Sequence, residues 1–126
     1  MRFVNPLPFV ADIARATDFY ERVVGLTVAE RHEDFVRFEG GFALHEGRTL
    51  HARIAAAAPT VGPWGRDNLV LYFETADLDA AHARIAPEAV MIHPPRREAW
   101  GGRVMRLRDP DGHVVEIGEA ALQAVP

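Results

Sequence analysis

An internal repeat is the feature of this sequence that most constrains its fold. Each half of the chain shows one predicted strand, one predicted helix and three further predicted strands, in that order. The halves align at residues 11–13 (ADI) with 76–78 (ADL), and at 41–45 (GFALH) with 112–116 (GHVVE). Two similar modules usually pack about a pseudo-twofold axis. The repeat therefore predicts an α+β fold of two βαβββ modules, with an open, cleft-forming sheet surface between them.

The first module is predicted at residues 1–46, and its first strand at residues 2–10 (RFVNPLPFV). Pro6 and Pro8 have the same parity, so two N–H groups are missing on one side of this strand. We therefore expect it to lie at a sheet edge. Three short strands complete the module, at LTVAERH, DFVRFE and FALHE.

Both predicted helices begin at an aspartate. The helix at residues 11–26 has Asp12 at its N-cap and Gly25 where a left-handed residue commonly ends a helix. The helix at residues 76–85 has Asp77 at its N-cap. The two helices thus start in the same way in both copies of the repeat.

The second module is predicted at residues 67–120, after a partly ordered connecting segment at 47–66. Its strands are predicted at NLVLYFE, AVMIH, GRVMRLR and HVVEIGE. Residues 93–98 (HPPRRE) predict a stiff loop, and residues 109–112 (DPDG) a turn with glycine at its end. Both modules are interpreted as parts of one domain spanning the 126 residues.

Composition excludes several classes of function. The net charge of −4 disfavours nucleic-acid binding, which needs a basic face. The chain has no cysteine, which excludes disulfides and thiolate metal sites, and no lysine, which excludes a Schiff-base mechanism. No apolar run is long enough for a membrane span, and no signal-peptide pattern begins the sequence, so a cytoplasmic location is expected.

Strand alternation predicts which side chains face the cleft. In residues 113–117, Glu116 alternates with apolar side chains and is expected to point away from the helix. In residues 68–74, the side chains expected to face the helix are Leu69, Leu71 and Phe73. The repeat then predicts four cleft-facing polar side chains: Asn5, His45, Asn68 and Glu116.

The sequence resembles the vicinal oxygen chelate superfamily, which contains glyoxalase I, extradiol dioxygenases, fosfomycin-resistance enzymes and bleomycin-binding proteins. The resemblance covers nearly the whole chain. It depends on the first strand running into ADIARATDFYERVVGL, on NLVLYFETADLDAA and on DPDGHVVEIGE. It implies paired βαβββ modules, a homodimer and, in many members, a divalent metal in each cleft.

The resemblance also implies positions for metal ligands. The eighth-strand glutamate corresponds to Glu116, but the first-strand and fifth-strand positions hold Asn5 and Asn68 where metal-dependent members have histidine or glutamine. The fourth-strand position falls on His45, or on Glu46 if the register shifts by one. Carboxamide oxygens are weak ligands for transition metals, so a tightly held metal is not favoured; if one binds, His45 and Glu116 are the expected ligands.

Four further residues are candidates for ligand binding. Trp64 and Trp100 lie in glycine-flanked loops (GPWGR and AWGGR) and suit either the wall of an aromatic pocket or an interface or loop anchor. Tyr72 has cleft-face parity and suits either a hydrogen bond to a ligand or packing. Arg106 lies on a middle strand, where it could hold a carboxylate or phosphate or remain a solvated charge.

Three hypotheses for the function follow. The first is a metal-free dimer that binds a small organic molecule, such as an aromatic one, in the cleft between the two modules, as bleomycin-binding relatives do. The second is a metal-dependent lyase or dioxygenase of the glyoxalase type, with His45 and Glu116 as ligands. The third is a metal-free isomerase or lyase that uses the same two residues as acid and base. We favour the first, and the sequence leaves open whether the protein is an enzyme, because a fold does not choose a reaction.

Overall fold

A computed structural model describes residues 1–54 and 63–120 of the chain. These residues form two compact units, the first containing the described residues up to 66 together with 110–112, and the second containing the remainder from 67 on. Each unit has a four-stranded mixed sheet and helices. The predicted α+β class with two similar modules is confirmed.

The first unit contains four strands and two helices. Its elements are β1 (Phe9–Val10), α1 (Ile13–Asp18, continued by a π-helical segment at Phe19–Val24), β2 (Val28–Arg31), β3 (Phe35–Phe38), β4 (Phe42–Glu46) and α2 (Gly47–Ile54). The strand order is β1-β4-β3-β2, with β1 parallel to β4 and the other pairs antiparallel.

The predicted first strand is much shorter than expected, but it does lie at the sheet edge. Only Phe9 and Val10 pair with β4, at His45 and Glu46. Pro6 and Pro8 lack the N–H groups that would extend the ladder toward the N-terminus. The carbonyl of Pro8 still accepts a hydrogen bond from the backbone N–H of His45, at 3.2 Å.

The predicted cap residues of α1 are confirmed. The side chain of Asp12 accepts a hydrogen bond from the backbone N–H of Arg15 at 3.0 Å. Gly25 ends the helical stretch with φ of +98°, a left-handed conformation that glycine adopts without strain. The widening of the helix into a π-helical segment at 19–24 was not predicted.

An additional helix, α2, occupies the first residues of the predicted connecting segment. The carboxylate of Glu46 accepts hydrogen bonds from the backbone N–H groups of Arg48 and Thr49, at 3.1 and 2.7 Å. These bonds satisfy donors that the first turn of a helix leaves open, and they explain why a helix starts directly after β4. Residues 55–62 of the predicted segment lie outside the described residues.

The second unit has the same order of strands and helix. Its elements are β5 (Val70–Thr75), α3 (Leu78–Ile85, followed by a 3₁₀ turn at Ala86–Glu88), β6 (Val90–Arg97), β7 (Arg103–Arg108) and β8 (Val114–Glu119). The strand order is β5-β8-β7-β6, with β5 parallel to β8. The predicted cap of α3 is confirmed, since the side chain of Asp77 accepts a hydrogen bond from the N–H of Ala80 at 3.0 Å.

The prediction of a loop at residues 93–98 was wrong, because β6 continues to Arg97. Strand β6 is one of the two edge strands of its sheet, and its register with β7 shifts between His93 and Arg96. An edge strand with a register irregularity tolerates the missing N–H groups of Pro94 and Pro95, so this segment remains a strand.

One face of the second sheet packs on α3 and forms the core of this unit. The fully or almost fully buried side chains of this core are Leu71, Leu78, Ala81, Ile85, Met105, Leu107, Val115 and Ile117. The predicted inward position of Leu69 was wrong: this residue precedes β5 and is 54% exposed. Among the described residues, no helix is long and apolar enough to cross a membrane.

Candidate functional site

Four polar side chains form a continuous row across the open face of the second sheet, the face opposite α3. Tyr72 pairs with Glu116, Glu116 with Arg106, and Arg106 with His93, in the registers of β5, β8, β7 and β6. We call these four residues the polar row. On β5, β8 and β7 the neighbouring side chains point to the opposite face, because strand side chains alternate. On β6 the register shifts beside His93, and its neighbour Ile92 is 45% exposed.

The guanidinium of Arg106 is the centre of the polar row. Its Nε donates to Oε1 of Glu116 at 2.7 Å, and its Nη1 donates to Oε1 of Glu98 at 2.8 Å and to Nε2 of His93 at 3.0 Å. The side chains of Arg106, Glu116 and Glu98 are 23%, 16% and 17% exposed. Glu116 is therefore a half-buried carboxylate with a charge-assisted partner, which offsets the cost of removing it from water.

The hydrogen bonds of His93 determine its tautomer. Arginine can only donate, so Nε2 of His93 must accept from Arg106. Nδ1 then carries the proton and donates to the carbonyl of Pro94 at 2.8 Å. The ring is thus neutral, with its Nε2 lone pair directed at a cation.

The charges of this cluster shift one another's pKa. Hydrogen bonds from Arg106 and then from Arg96 hold the pKa of Glu98 below its ordinary value of 4.5. The hydrogen bond to Glu98 raises the pKa of Arg106, and the bond to Glu116 adds to this effect against the opposing effect of burial. The guanidinium therefore stays charged, and Glu98 remains an ionised acceptor.

Arg106→Gln is expected to raise the pKa of Glu98 toward 4.5, because the largest cause of its lowered value is removed. A lowered folded-state pKa stabilises the fold above the ordinary value, and this contribution is lost as the pH falls through the lowered value. The variant should therefore lose less stability than the wild type on acidification. A carboxyl-carbon NMR titration would measure the shift, with Arg108→Gln as control, since Arg108 pairs with Asp67. An unchanged Glu98 titration would contradict the assigned cause.

A cavity of about 530 Å³ lies at the end of the polar row, within the second unit. Its volume is in the range typical of small-molecule sites. Two large aromatic side chains line it and remain accessible, Trp100 at 67% and Tyr72 at 52% exposure. The other lining residues are Glu74, Arg97, Gly101, Gly102, Arg103, Val104, Glu119 and Ala120. We call this space the aromatic cavity.

Two glycines allow the aromatic rings to lie against the backbone of the sheet. A Cβ atom at Gly118 would lie 2.5 Å from the hydroxyl oxygen of Tyr72, and one at Gly102 would lie 2.6 Å from Nε1 of Trp100. Any side chain at either position would push the ring away. The positions of both rings, and so the shape of the aromatic cavity, depend on these two glycines.

The charged residues of the aromatic cavity differ in how far they are paired. Arg103 binds Asp79 at 2.8 Å and Glu119 at 2.7 Å. Arg97 donates to the carbonyl of Gly101 at 2.6 Å and forms no ion pair among the described residues. Glu74 accepts a hydrogen bond from the hydroxyl of Tyr72 at 2.9 Å. Partial burial, followed by this bond to Glu74, raises the pKa of Tyr72, so the hydroxyl remains protonated.

His45, the repeat mate of Glu116, lies in an aromatic setting in the first unit. It is 6% exposed, and its Nδ1 donates to the carbonyl of Glu46 at 2.9 Å. It pairs with Phe9 on one side and with Phe35 on the other, and the Phe35 ring centre is 6.2 Å away. The roles predicted for His45 in catalysis or metal binding remain predictions.

Glu46, the other possible fourth-strand ligand, is used to start α2. Burial pushes the pKa of this carboxyl upward, but hydrogen bonds from Thr49 and Arg48 outweigh burial and hold the pKa below its ordinary value. Among the described residues, no group of three or more His, Asp or Glu side chains is arranged to hold a metal ion.

Trp64 packs inside the first unit. Its ring meets Phe9 edge to face at 5.3 Å, and a Cβ atom at Gly47 would lie 2.5 Å from its Cε2. Its Nε1 is buried without a hydrogen-bond partner among the described residues. These contacts favour the loop-anchor interpretation of Trp64, whereas the exposed Trp100 suits the wall of a pocket.

The two asparagines precede the strands to which they were assigned. The side-chain nitrogen of Asn5 donates to the carbonyl of Pro6 at 2.8 Å, ahead of β1. Asn68 is exposed in a turn before β5. The convergence of Asn5, His45, Asn68 and Glu116 on one cleft remains a prediction.

Sequence reasoning named Glu116, Arg106, Tyr72 and Trp100 but missed Glu98 and His93. His93 stands where the predicted strand AVMIH meets the segment predicted as a loop, and Glu98 lies in the connection just after β6. The signal that could have found His93 is hairpin pairing: β6 and β7 flank a short glycine-containing connection, so residues of β6 must lie beside those of β7.

The family of this chain is shown by comparison of its sequence with known families. A sequence model of the glyoxalase-like domain family matches residues 3–122. The chain belongs to this family, within the vicinal oxygen chelate superfamily.

Solved structures show the same fold. The chain is 52% identical to a protein of unknown function from Agrobacterium tumefaciens str. C58, with a TM-score of 0.92 over 96% of this chain and 95% of that one. It is 25% identical to lactoylglutathione lyase from Agrobacterium tumefaciens, with a TM-score of 0.72 over 93% and 92% of the two chains. A glyoxalase/bleomycin resistance protein/dioxygenase family enzyme from Burkholderia phytofirmans PsJN is 21% identical, with a TM-score of 0.75 over 94% and 98%.

Proposed function

We propose that this protein binds a small, planar organic molecule in the aromatic cavity of the second unit, without a tightly held metal ion. The observation that carries this proposal is the pair of accessible rings, Trp100 and Tyr72, seated over Gly102 and Gly118 beside the polar row. Exposed aromatic rings at the wall of a cavity stabilise flat ligands by stacking, and nearby polar groups orient them.

The polar row supports a site without a metal. Glu116, the residue that the family resemblance aligns with a metal ligand, already binds the cation of Arg106 at 2.7 Å. A divalent ion beside this guanidinium would meet a like charge at short range in a half-buried place, which is unfavourable. The donors near Glu116 therefore do not fit a metal ion while Arg106 is present.

The names of the similar structures supply lactoylglutathione and bleomycin as two compounds for a first binding test. Arg97 and Glu74 at the wall of the aromatic cavity provide partners for charged and amide groups of a ligand. The homodimer implied by the family resemblance remains a prediction.

Trp100→Ala is expected to weaken ligand binding about tenfold or more, because truncating a tryptophan at the wall of a site removes most of its stacking surface. Bleomycin, S-lactoylglutathione and a set of planar heteroaromatic fragments would be titrated into the wild type and into Trp100→Ala by isothermal calorimetry, which needs no tryptophan signal. Binding that is indifferent to Trp100→Ala would contradict the proposed site.

Two further variants make this test specific to the cavity. Gly118→Val should displace the Tyr72 ring and weaken binding while the fold remains, since the ring is the flexible partner in the clash. Val90→Ala is the matched control, because Val90 is 68% exposed on β6 and does not line the cavity. Equal losses in Val90→Ala and Gly118→Val would place the ligand elsewhere.

A further inference from the structure

We propose that Arg106 takes the place of a divalent cation: its guanidinium fills a set of metal-type ligands formed by His93, Glu98 and Glu116. The inference rests on the proposed metal-free function and goes further, because it names the residue that replaces the metal and the ligands it keeps occupied. It concerns a cluster contained within the second unit.

The first argument is the identity of the groups around the guanidinium. Two carboxylate oxygens and one imidazole nitrogen surround Arg106, at 2.7, 2.8 and 3.0 Å. Two carboxylates and an imidazole are a common ligand set for zinc and similar divalent ions. Here all three accept hydrogen bonds from N–H groups of one cation.

The second argument is the state of His93. Metal-binding histidines usually donate one ring N–H to a backbone carbonyl or carboxylate and present the other nitrogen to the ion. His93 does the same with Arg106, since its Nδ1 donates to the carbonyl of Pro94 at 2.8 Å and its Nε2 accepts from the guanidinium. The ring is thus already in the tautomer that a metal ion requires.

The third argument is geometric. An ion at the position of Nη1 would lie 2.8 Å from Glu98 and 3.0 Å from His93. Ligand distances for zinc are about 2.0–2.2 Å, so each of these donors would need to move by roughly 1 Å or less. Glu116 contacts Nε instead of Nη1, so it would have to turn toward the vacated space, and with Arg106 in place no three such side chains of the described residues are grouped to hold a metal ion.

The replacement also leaves a group for the organic ligand. Nε and Nη1 of Arg106 are used by the cluster, while Nη2 has no acceptor among the described residues. Its two N–H groups are therefore available to an oxygen atom of a ligand, the kind of atom that a metal ion would otherwise polarise. The site thus keeps a positive charge, carried by the Arg106 guanidinium, which acts as a fixed hydrogen-bond donor instead of a metal ion.

The test is a titration with Co²⁺ alone, followed by calorimetry and by the visible absorption of bound cobalt. Arg106→Ala is expected to bind one Co²⁺ per chain about 100-fold or more tightly than the wild type, because a repelling charge is removed and space opens. Arg106→Met, which fills the space without charge, should bind much less tightly than Arg106→Ala. Adding His93→Ala to Arg106→Ala should abolish the gain.

Arg96→Ala is the matched control. Arg96 also binds Glu98, at 3.1 Å, but it is 55% exposed and leaves Arg106 in place. It should gain no cobalt site. Circular dichroism confirms that each variant is folded before titration, and Arg106→Ser replaces Arg106→Ala if the alanine variant unfolds.

The outcomes separate this inference from the proposed function. If neither Arg106→Ala nor Arg106→Ser binds Co²⁺ more tightly than the wild type, Arg106 is not a substitute for a metal, while the metal-free ligand site still stands. If Arg96→Ala gains the same site, the effect is one of general charge and the inference is overturned. If the wild type binds Co²⁺ tightly and Glu116→Gln removes that binding, both proposals are wrong.

Discussion

Asp111→Ala is expected to lower the free energy of unfolding by about 2–4 kcal/mol, because it removes a buried charged acceptor. The Asp111 side chain is 2% exposed, and its Oδ1 accepts hydrogen bonds from the backbone N–H of Ala11 at 2.8 Å and from Arg15 at 3.3 Å. Alanine would leave the Ala11 N–H without this acceptor directly before α1. Urea unfolding followed by circular dichroism would measure the loss.

Asp12→Ala provides a matched control for that prediction. Asp12 caps the same helix, but it is exposed and accepts one backbone N–H at 3.0 Å. Loss of such a cap costs about 1 kcal/mol. Asp111→Asn keeps an acceptor oxygen and should fall between the two. If Asp111→Ala lowers the free energy of unfolding no more than Asp12→Ala does, the buried Asp111 carboxylate stabilises the fold no more than an exposed helix cap, and the prediction is wrong.

Leu107→Ala is expected to lower the free energy of unfolding by about 2–5 kcal/mol, because apolar burial is lost and a cavity remains. Leu107 has no exposed surface and lies on the face of β7 that packs on α3. Its neighbour Arg106 lies on the opposite face, so adjacent residues of one strand serve the core and the candidate site. Chemical unfolding of Leu107→Ala would measure the first of these roles.

Glu116→Ala should lower the free energy of unfolding by only about 1–2 kcal/mol, less than Leu107→Ala. The ion pair that it breaks is partly solvated, and Arg106 keeps its bond to Glu98. The variant should instead affect ligand binding. A Glu116→Ala loss as large as that of Leu107→Ala would mean that the carboxylate belongs to the core of the fold. Ile92→Ala, at a position 45% exposed on β6, is the control for a general effect of truncation in this sheet.

Local sequence signals predicted the parts of the fold that depend on a few neighbouring residues. The aspartates before α1 and α3 and the glycine after the first helical stretch act over one turn, so their roles could be read directly. The alternation of Glu116 with Val115 and Ile117 likewise gave the correct faces of β8. The doubled order of elements predicted the class of fold, and the resemblance carried by the quoted motifs predicted the family.

The errors arose where a neighbouring strand overrules a local preference. Pro94 and Pro95 indicate a loop by themselves, yet pairing with β7 on one side keeps the segment extended at the sheet edge. This misassignment hid the pairing of His93 with Arg106. Leu69 fits the apolar alternation, but pairing of β5 with β8 starts only at Val70, so no neighbour covers it.

The sequence by itself determined the repeat, the helix starts, the apolar face of the second sheet and the presence of one acid in the last strand, because periodicity and caps act over short distances. Only the tertiary structure decided that this acid binds Arg106, that His93 and Glu98 join them, and that Trp100 and Tyr72 lie over glycines. Those contacts depend on strand register and on the space available between side chains that are far apart in the sequence. Neither can be predicted from a local stretch of residues.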